Sequence, residues 1–419
     1  MRRGVSAWIW CWLLASSLAV VADALVRGVA LPGGASAPAW SVLATNLVCL
    51  PGTLVSAPVW WLGLGVSIDP SWVVVGSLFV GWGIVVAMAG ACAWLVMRVG
   101  RGAGERRDGA DERGTSGEEE GLRGAVLRRR AFLARTAAGA AGLAGSARMA
   151  RAALVEPGEL CVRRYTVRVR GLARSLDGLK VVQISDTHVG PMVPDRFTSE
   201  AVRVALKLGP DVVVLTGDMF ESVHGDVERR SGLFAPLTAR GAGPRAVLGV
   251  LGNHDWYGDG PRVARALTAL GVRMIDNGRV FFDGVSRRVV DEEPRHGGCV
   301  AFAGLGDLLG DVQDVRGAFG GVGADVPRVL LAHQPDTLEL AALRGVRIDV
   351  SLCGHTHGGQ IRLPMMGPLI VPSRFGRKYE GGLVESPVGP AIVSRGVGMS
   401  GLPLRVGVPP EVVEVVLRA

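Results

Sequence analysis

The stretch Ile348 to Gln360 reads Ile-Asp-Val-Ser-Leu-Cys-Gly-His-Thr-His-Gly-Gly-Gln. Residues i and i+2 of an extended segment share a face, so His355 and His357 converge where the apolar run ends. The flanking glycines let other groups come close to whatever the imidazoles hold. Alone, this pair also describes a polar loop with two incidental histidines. Upstream, however, other hydrophobic runs end in the same manner. Leu179–Ile184 leads into Ser185-Asp186-Thr187-His188, and Asp211–Leu215 into Thr216-Gly217-Asp218. Ala246–Leu251 leads into Gly252-Asn253-His254-Asp255, and Arg328–Leu331 into His333. Carboxylate, imidazole and amide oxygen together suit manganese, iron or zinc, and no thiolate motif competes. Cys353 precedes His355 by two residues, but within a buried strand it reads as core.

These side chains need a scaffold that brings five run ends to one place. From about Leu154 the chain alternates short strand-like and helix-like stretches. Tyr165–Leu172 alternates apolar and polar residues, as an edge or half-buried strand does. Phe197–Leu208 is amphipathic, and Pro261–Leu270 opens with a proline, which a first helical turn tolerates. Ile348–Leu352 is a further short strand. In open α/β sheets, sites form beyond the carboxyl ends of strands, which is where Asp, Asn and His recur here.

Asp-x-His, Gly-Asp, Gly-Asn-His-Asp, a single histidine and Gly-His-x-His, in that order, resemble the calcineurin-like metallophosphoesterase superfamily from roughly Leu179 onward. A narrower similarity is to its membrane-associated or twin-arginine-exported bacterial branch. It is carried by Gly-His-Thr-His-Gly-Gly-Gln and by the tail from Ser394-Arg395-Gly396 through Leu402-Pro403-Leu404-Arg405 to Pro410-Glu411. The resemblance implies a four-layer α/β sandwich of two mixed sheets and a site for two divalent transition metal ions (Mn, Fe or Zn). Asp186, His188 and His357 would hold one ion; Asn253, His333 and His355 would hold the other; Asp218 would bridge them at the ~3.5–4 Å separation used in two-metal hydrolysis. His254 would donate a proton to the leaving oxygen, with Asp255 as its orienting partner. The activity implied is hydrolysis of a phosphate ester or pyrophosphate bond. The substrate would be a phosphorylated small molecule or a lipid-linked compound, and UDP-2,3-diacylglucosamine, from lipid A biosynthesis, is a named example among relatives. The alternatives are a non-catalytic metal-binding scaffold and a membrane transporter or sensor with an accessory hydrolase domain. Little charge in the apolar stretches argues against an ion pathway.

Those apolar stretches occupy residues 1–97. Ala7–Leu25, Ser41–Val66 and Trp72–Met97 each reach the ~20 residues that a helix needs to cross a bilayer. Trp72–Met97 carries no charged residue. Asn46, Pro51 and Pro58 leave Ser41–Val66 kinked or partly re-entrant. Trp60, Trp61 and Trp72 sit near span ends, where interfacial tryptophan is favoured. The expected organisation is an all-α membrane region at 1–97, a charged linker and further hydrophobic segment at 98–154, and the metallophosphoesterase domain at 155–419. Arg129-Arg130-Ala131-Phe132-Leu133 before the mild apolar stretch Thr136–Ala147 resembles a twin-arginine export signal; it also reads as the basic flank of a short fourth helix. The arginine-rich linker favours an extracytoplasmic catalytic domain by the positive-inside rule. A cytoplasmic N-terminus with four spans would keep the domain inside.

The formal net charge is +8, and arginine supplies nearly all of the positive side, since lysine occurs only at Lys180, Lys207 and Lys378. No basic stripe interleaves with aromatics, which excludes nucleic acid as an expected partner. The six cysteines form no Cys-x-x-Cys pair and suggest no disulfide framework. His224 and His296 lie outside every motif and read as solvated. Asp307 after Gly306 is a candidate for supporting the site from behind. Arg362, Arg374, Arg395 and Arg405 are candidates for a substrate phosphate or for surface salt bridges.

Overall fold

The structure, a computed structural model, describes residues 151–419 apart from 153, 191–192, 222–225, 240–242 and 364–365, with scattered helical positions between 126 and 148. The three apolar stretches expected to cross a bilayer, and His224, lie outside the described residues. Among the described residues no helix is long and apolar enough to cross a membrane. The chain divides between Arg148 and Met149, and the fold below is that of the unit Met149–Ala419.

Among the described residues two mixed sheets form this unit. The first has six strands in the order β1 (Cys161–Arg168), β15 (Glu411–Arg418), β2 (Leu179–Ile184), β3 (Val212–Thr216), β4 (Ala246–Val250) and β5 (Arg273–Met274). The second has seven, in the order β13 (Gly382–Ser386), β14 (Gly389–Val393), β10 (Val350–Cys353), β9 (Arg328–Leu331), β8 (Cys299–Gly304), β6 (Gly278–Asp283) and β7 (Arg288–Val290). In the first sheet β2, β3, β4 and β5 run parallel, and β15 joins them antiparallel to β2 but parallel to β1. In the second, β8, β9, β10 and β14 run parallel. A small antiparallel pair, β11 (Arg362–Leu363) with β12 (Gly367–Pro368), lies apart from both.

The strand sequences explain the layering. Strand β3 is buried on both faces, so its residues are apolar without alternation, as interior parallel strands require. Val212 and Val214 face the core between the sheets, where they meet Leu248, Phe282, Phe302, Leu331 and Leu352. Val213 and Leu215 face the opposite way, toward helix α1 (Asp195–Lys207) and helix α3 (Gly260–Ala269). Helix α1 buries Thr198, Ala201, Val202 and Ala205, the one-face spacing of an amphipathic helix. Outside the second sheet, helix α4 (Val315–Phe319) and short 3-10 turns cover Ala303, Leu330 and Cys353. Helix, sheet, sheet and helix thus stack in four layers.

Several expected boundaries shift. The strand expected at Tyr165–Leu172 is Cys161–Arg168, because a turn closes it with Leu172 N–H donating to Val169 O at 3.2 Å. It does lie at a sheet edge. The other expected strands and helices appear within about two residues of their anticipated ends, the usual scatter for helix and strand termini.

Candidate metal centre

Five strands end on one side of the two sheets, and the loops that leave them carry the expected ligands. Asp186 and His188 follow β2, Asp218 follows β3, Asn253 follows β4, His333 follows β9, and His355 and His357 follow β10. Asp186, His188 and His357 each bring one donor atom to a common point, all within 4.8 Å of one another. Asp218, His333 and His355 form a second group by the same measure. Asp218 Oδ2 lies 3.1 Å from His333 Nε2 and 3.6 Å from His188 Nε2, so one oxygen reaches toward both groups. Asn253 opens helix α2 (Asn253–Gly258) with its side chain buried.

The backbone is strained where these candidate ligands sit. Asp186, His188, Asp218, His355 and His357 all have positive φ, between 46° and 70°. A left-handed conformation in a non-glycine residue costs of order 1–3 kcal/mol and persists where the surroundings over-determine it. Here the loops are tied to each other: Asp186 N–H donates to Gly217 O and His188 N–H to Asp218 O, both at 3.0 Å. The carboxylates add further ties, since Asp186 Oδ1 accepts from His355 N–H and Asp218 Oδ1 from His254 N–H, each at 2.8 Å. Gly354 is required by this crowding. A Cβ there would run into the Asp186 carboxylate and Ser185 Oγ, so the close approach is to a ligand.

The ring nitrogens are oriented from behind. Thr216 O accepts from His333 Nδ1 at 2.8 Å, which turns Nε2 toward Asp218 as the nitrogen that would bind a metal ion. Glu221 Oε2 sits 2.5 Å from His188 Nδ1 and does the same for that ring. The freed His188 Nε2 then lies only 2.9 Å from His357 Nε2. Asp186 Oδ2 is buried without any hydrogen-bond partner. A partnerless buried carboxylate oxygen beside facing imidazole nitrogens is the arrangement a divalent cation satisfies, and the donor types fit manganese, iron or zinc.

Electrostatics agree. Burial opposes charge on both Asp218 and His333, yet their mutual contact outweighs it. The carboxyl group stays well below the usual carboxylate range, and the imidazole is pushed up to about 10. Burial, with the charge on His333 adding to it, pushes His355 down to about 3. Burial first and His188 second lower His357 as well. Neutral imidazoles are the form that binds metal; burial holds His355 and His357 there, whereas His333 would give up its proton to a bound cation.

Asp255 has another task than the one expected. It does not orient His254: its carboxylate accepts from Gly252 N–H and Phe220 N–H at 3.0 Å and from Met219 N–H at 3.3 Å. It therefore pins the loop after β3 to the start of helix α2. The orienting partner of His254 is Glu221, whose carbonyl oxygen lies 3.2 Å from His254 Nδ1. Glu221 stands three residues beyond Asp218, and its place in a post-strand loop was the only signal in the sequence. Gln334 was also missed. Its amide nitrogen donates to Asn253 Oδ1 at 3.2 Å and to Asp307 Oδ2, which gives Asp307 its supporting role.

The arginines divide differently from expectation. Arg405 is fully buried, so it neither meets solvent phosphate nor forms a surface salt bridge. Its guanidinium donates to Gly398 O and Arg395 O, each at 2.9 Å, and lies 3.4 Å from His357 Nδ1. Arg395 pairs with buried Glu411 at 3.1 Å, and Arg362 with Glu380 at 2.6 Å. His296 is half exposed and 3.3 Å from Asp283. Cys353 is buried in the core, which pushes its thiol up, and the described cysteines are all free.

Comparison with known proteins agrees with this geometry. The profile of the calcineurin-like phosphoesterase family matches residues 179–359. The uncharacterised metallophosphoesterase YkuE of Bacillus subtilis is 32% identical over 275 residues, covering 64% of this chain and 89% of that protein. The bovine transmembrane protein with metallophosphoesterase domain is 31% identical, covering 60% of this chain and 56% of its own length. A Chlamydia muridarum protein named UDP-2,3-diacylglucosamine pyrophosphatase LpxG is 28% identical, covering 50% of this chain and 73% of its own. The chain belongs to the calcineurin-like metallophosphoesterase family and is a metal-dependent hydrolase of phosphoric esters or pyrophosphates.

Proposed function

We propose that the chain hydrolyses a phosphate ester or pyrophosphate bond with two metal ions, one held by Asp186, His188 and His357, the other by Asn253, His333 and His355, with Asp218 shared. The observation that carries this reading is the Asp218 carboxylate, whose Oδ2 faces histidines of both groups. Bound there, a metal pair would supply a nucleophilic water at neutral pH and polarise the phosphoryl oxygens. The chain's own part is to place the ions, hold the phosphoryl group in line and deliver a proton to the departing oxygen from His254. Purified in lipid nanodiscs, the chain should release product from a phosphomonoester, a phosphodiester or a nucleotide-diphospho-lipid in the presence of manganese, iron or zinc. A chelator should abolish turnover and added metal restore it. Metal-independent turnover, or none with any substrate class, overturns the reading.

The finer reading is a multi-pass membrane protein with a membrane region at 1–97, a charged linker at 98–154 and the catalytic domain at 155–419. The uncharged stretch Trp72–Met97 supports it, as does the printed name of the bovine relative. A lipid-linked substrate such as UDP-2,3-diacylglucosamine, named for the chlamydial relative, belongs to this reading. The arginine-rich linker and Arg129-Arg130 favour an extracytoplasmic catalytic domain. A reporter fused after Ala419 that works only when exported should therefore be active. A cytoplasmic signal, unchanged by Arg129→Lys with Arg130→Lys, would place the domain on the inner face.

A further inference from the structure

Resting on the phosphoester reading above, we infer that the metal centre opens onto an apolar subsite, formed by Ile361, Leu369, Ile370, Pro372 and Leu402, that receives a hydrocarbon group esterified to the substrate phosphate. The cavity over the metal ligands has a volume of about 330 Å³. Asp218, His254, His355 and His357 line it together with the five apolar residues. A phosphoryl group bound at the candidate ligands therefore holds its ester substituent in the same cavity as these apolar side chains. Ligand pockets of this kind are mostly apolar with a few placed polar groups, and their lining states what the bound group is made of.

The wall is built rather than loose. Leu369 N–H donates to Ile361 O at 3.0 Å, and Ile361 bridges to Val406. The Gln360 side chain in the lining is already committed: its Nε2 donates to Ser400 O and Leu402 O at 3.0 Å, and its Oε1 accepts from Ser400 N–H at 2.9 Å. Gln360 thus clasps the Leu402 loop to the floor and has little left for a sugar or a base. Among the described residues no lysine or arginine lines the cavity. Leu369 and Ile370 are 53% and 75% exposed at its lip. Apolar side chains held in water beside a metal centre mark a place where apolar surface is buried on binding. Because the wall and the ligands share one cavity, that surface belongs to the substrate. Ser400 Oγ, 3.5 Å from His254 Nε2, joins the wall to the residue that faces the leaving oxygen.

The test uses the full chain in lipid nanodiscs and two ester series with methyl to octyl chains, all monomeric in solution. One series is the alkyl phosphates, read by phosphate release; the other is the alkyl p-nitrophenyl phosphates, read by p-nitrophenol. In the series that is cleaved, kcat/KM should rise about fourfold for each methylene that becomes buried. Leu369→Ser with Ile370→Ser should lower the octyl-to-methyl ratio of kcat/KM about tenfold, as should Leu402→Ser on the facing loop. A flat chain-length dependence in the parent protein overturns the subsite, as does an equal loss on methyl and octyl esters. A loss confined to esters embedded in vesicles also overturns it, and would make the lip a membrane-contact surface. If neither series is cleaved with any metal while a nucleotide-diphospho-lipid is, the subsite falls and the hydrolase reading stands; if no class is cleaved, the hydrolase reading itself falls.

Discussion

Asp218→Ala should release both metal ions. Its Oδ2 lies within 3.6 Å of a histidine from each group, and its Oδ1 holds His254 N–H at 2.8 Å. Residues behind a metal ligand commonly cost 10- to 100-fold in affinity or activity when removed, so a shared ligand should cost at least about 100-fold in turnover. Elemental analysis should fall from about two ions per chain, the two-metal template, to well below one. His357→Ala should mainly empty the position it shares with Asp186 and His188. Alanine is also strained at the positive φ of 53° that Asp218 adopts, whereas asparagine tolerates it. Asp218→Asn therefore separates loss of ligand charge from loss of loop geometry. Full metal occupancy in Asp218→Ala would sink the bridging assignment.

His254→Ala should keep its metals and lose turnover. Glu221 O can only accept, so the proton between it and His254 sits on Nδ1 at 3.2 Å; to act as the acid the ring must carry a second proton on Nε2, which it passes to the leaving oxygen while it keeps the one on Nδ1. A group placed in this way typically contributes ~10²–10⁴-fold when it protonates an alkoxide leaving group. The deficit should shrink for p-nitrophenyl phosphate, whose leaving group scarcely needs a proton. Loss of a metal in the variant would make His254 a ligand. Equal losses on both substrates, with metals intact, would mean that it positions the phosphoryl group.

Much of the cluster was legible because each candidate ligand follows a short hydrophobic run. Burial on both faces made β3 read as Val-Val-Val-Leu-Thr, and the chain must turn polar where such a strand leaves the core, at Gly217-Asp218. The runs that build the rest of the second sheet gave weaker signals. Phe281 and Phe282 in β6 point to opposite faces that are both buried, so their stretch shows no alternation. Strand β15 is a strongly apolar run at the C-terminus, yet nothing local says that it inserts between β1 and β2. That register depends on Val415 pairing with Tyr165 on one side and Val181 on the other.

By itself, then, the chain's order of residues determined the types of the candidate ligands, their sequence and their attachment to strand ends, because hydrophobic runs and their breaks are local. It also determined the apolar character of the first hundred residues. Tertiary structure decided the rest. Only the meeting of two sheets puts His333 beside Asp218 and His357 beside His188. Only the ties between their loops hold Asp186, His188, Asp218, His355 and His357 at positive φ, a conformation no sequence preference would assign to them. Asp255 became a loop pin and Glu221 the partner of His188 and His254, because the N–H groups of Gly252, Met219 and Phe220 converge on the Asp255 carboxylate. Arg405, a charged residue in a sequence of surface-like arginines, is buried because backbone carbonyls from residues 395–398 surround its guanidinium. Those partners lie close in sequence, but only the folded loop turns their oxygens to one point.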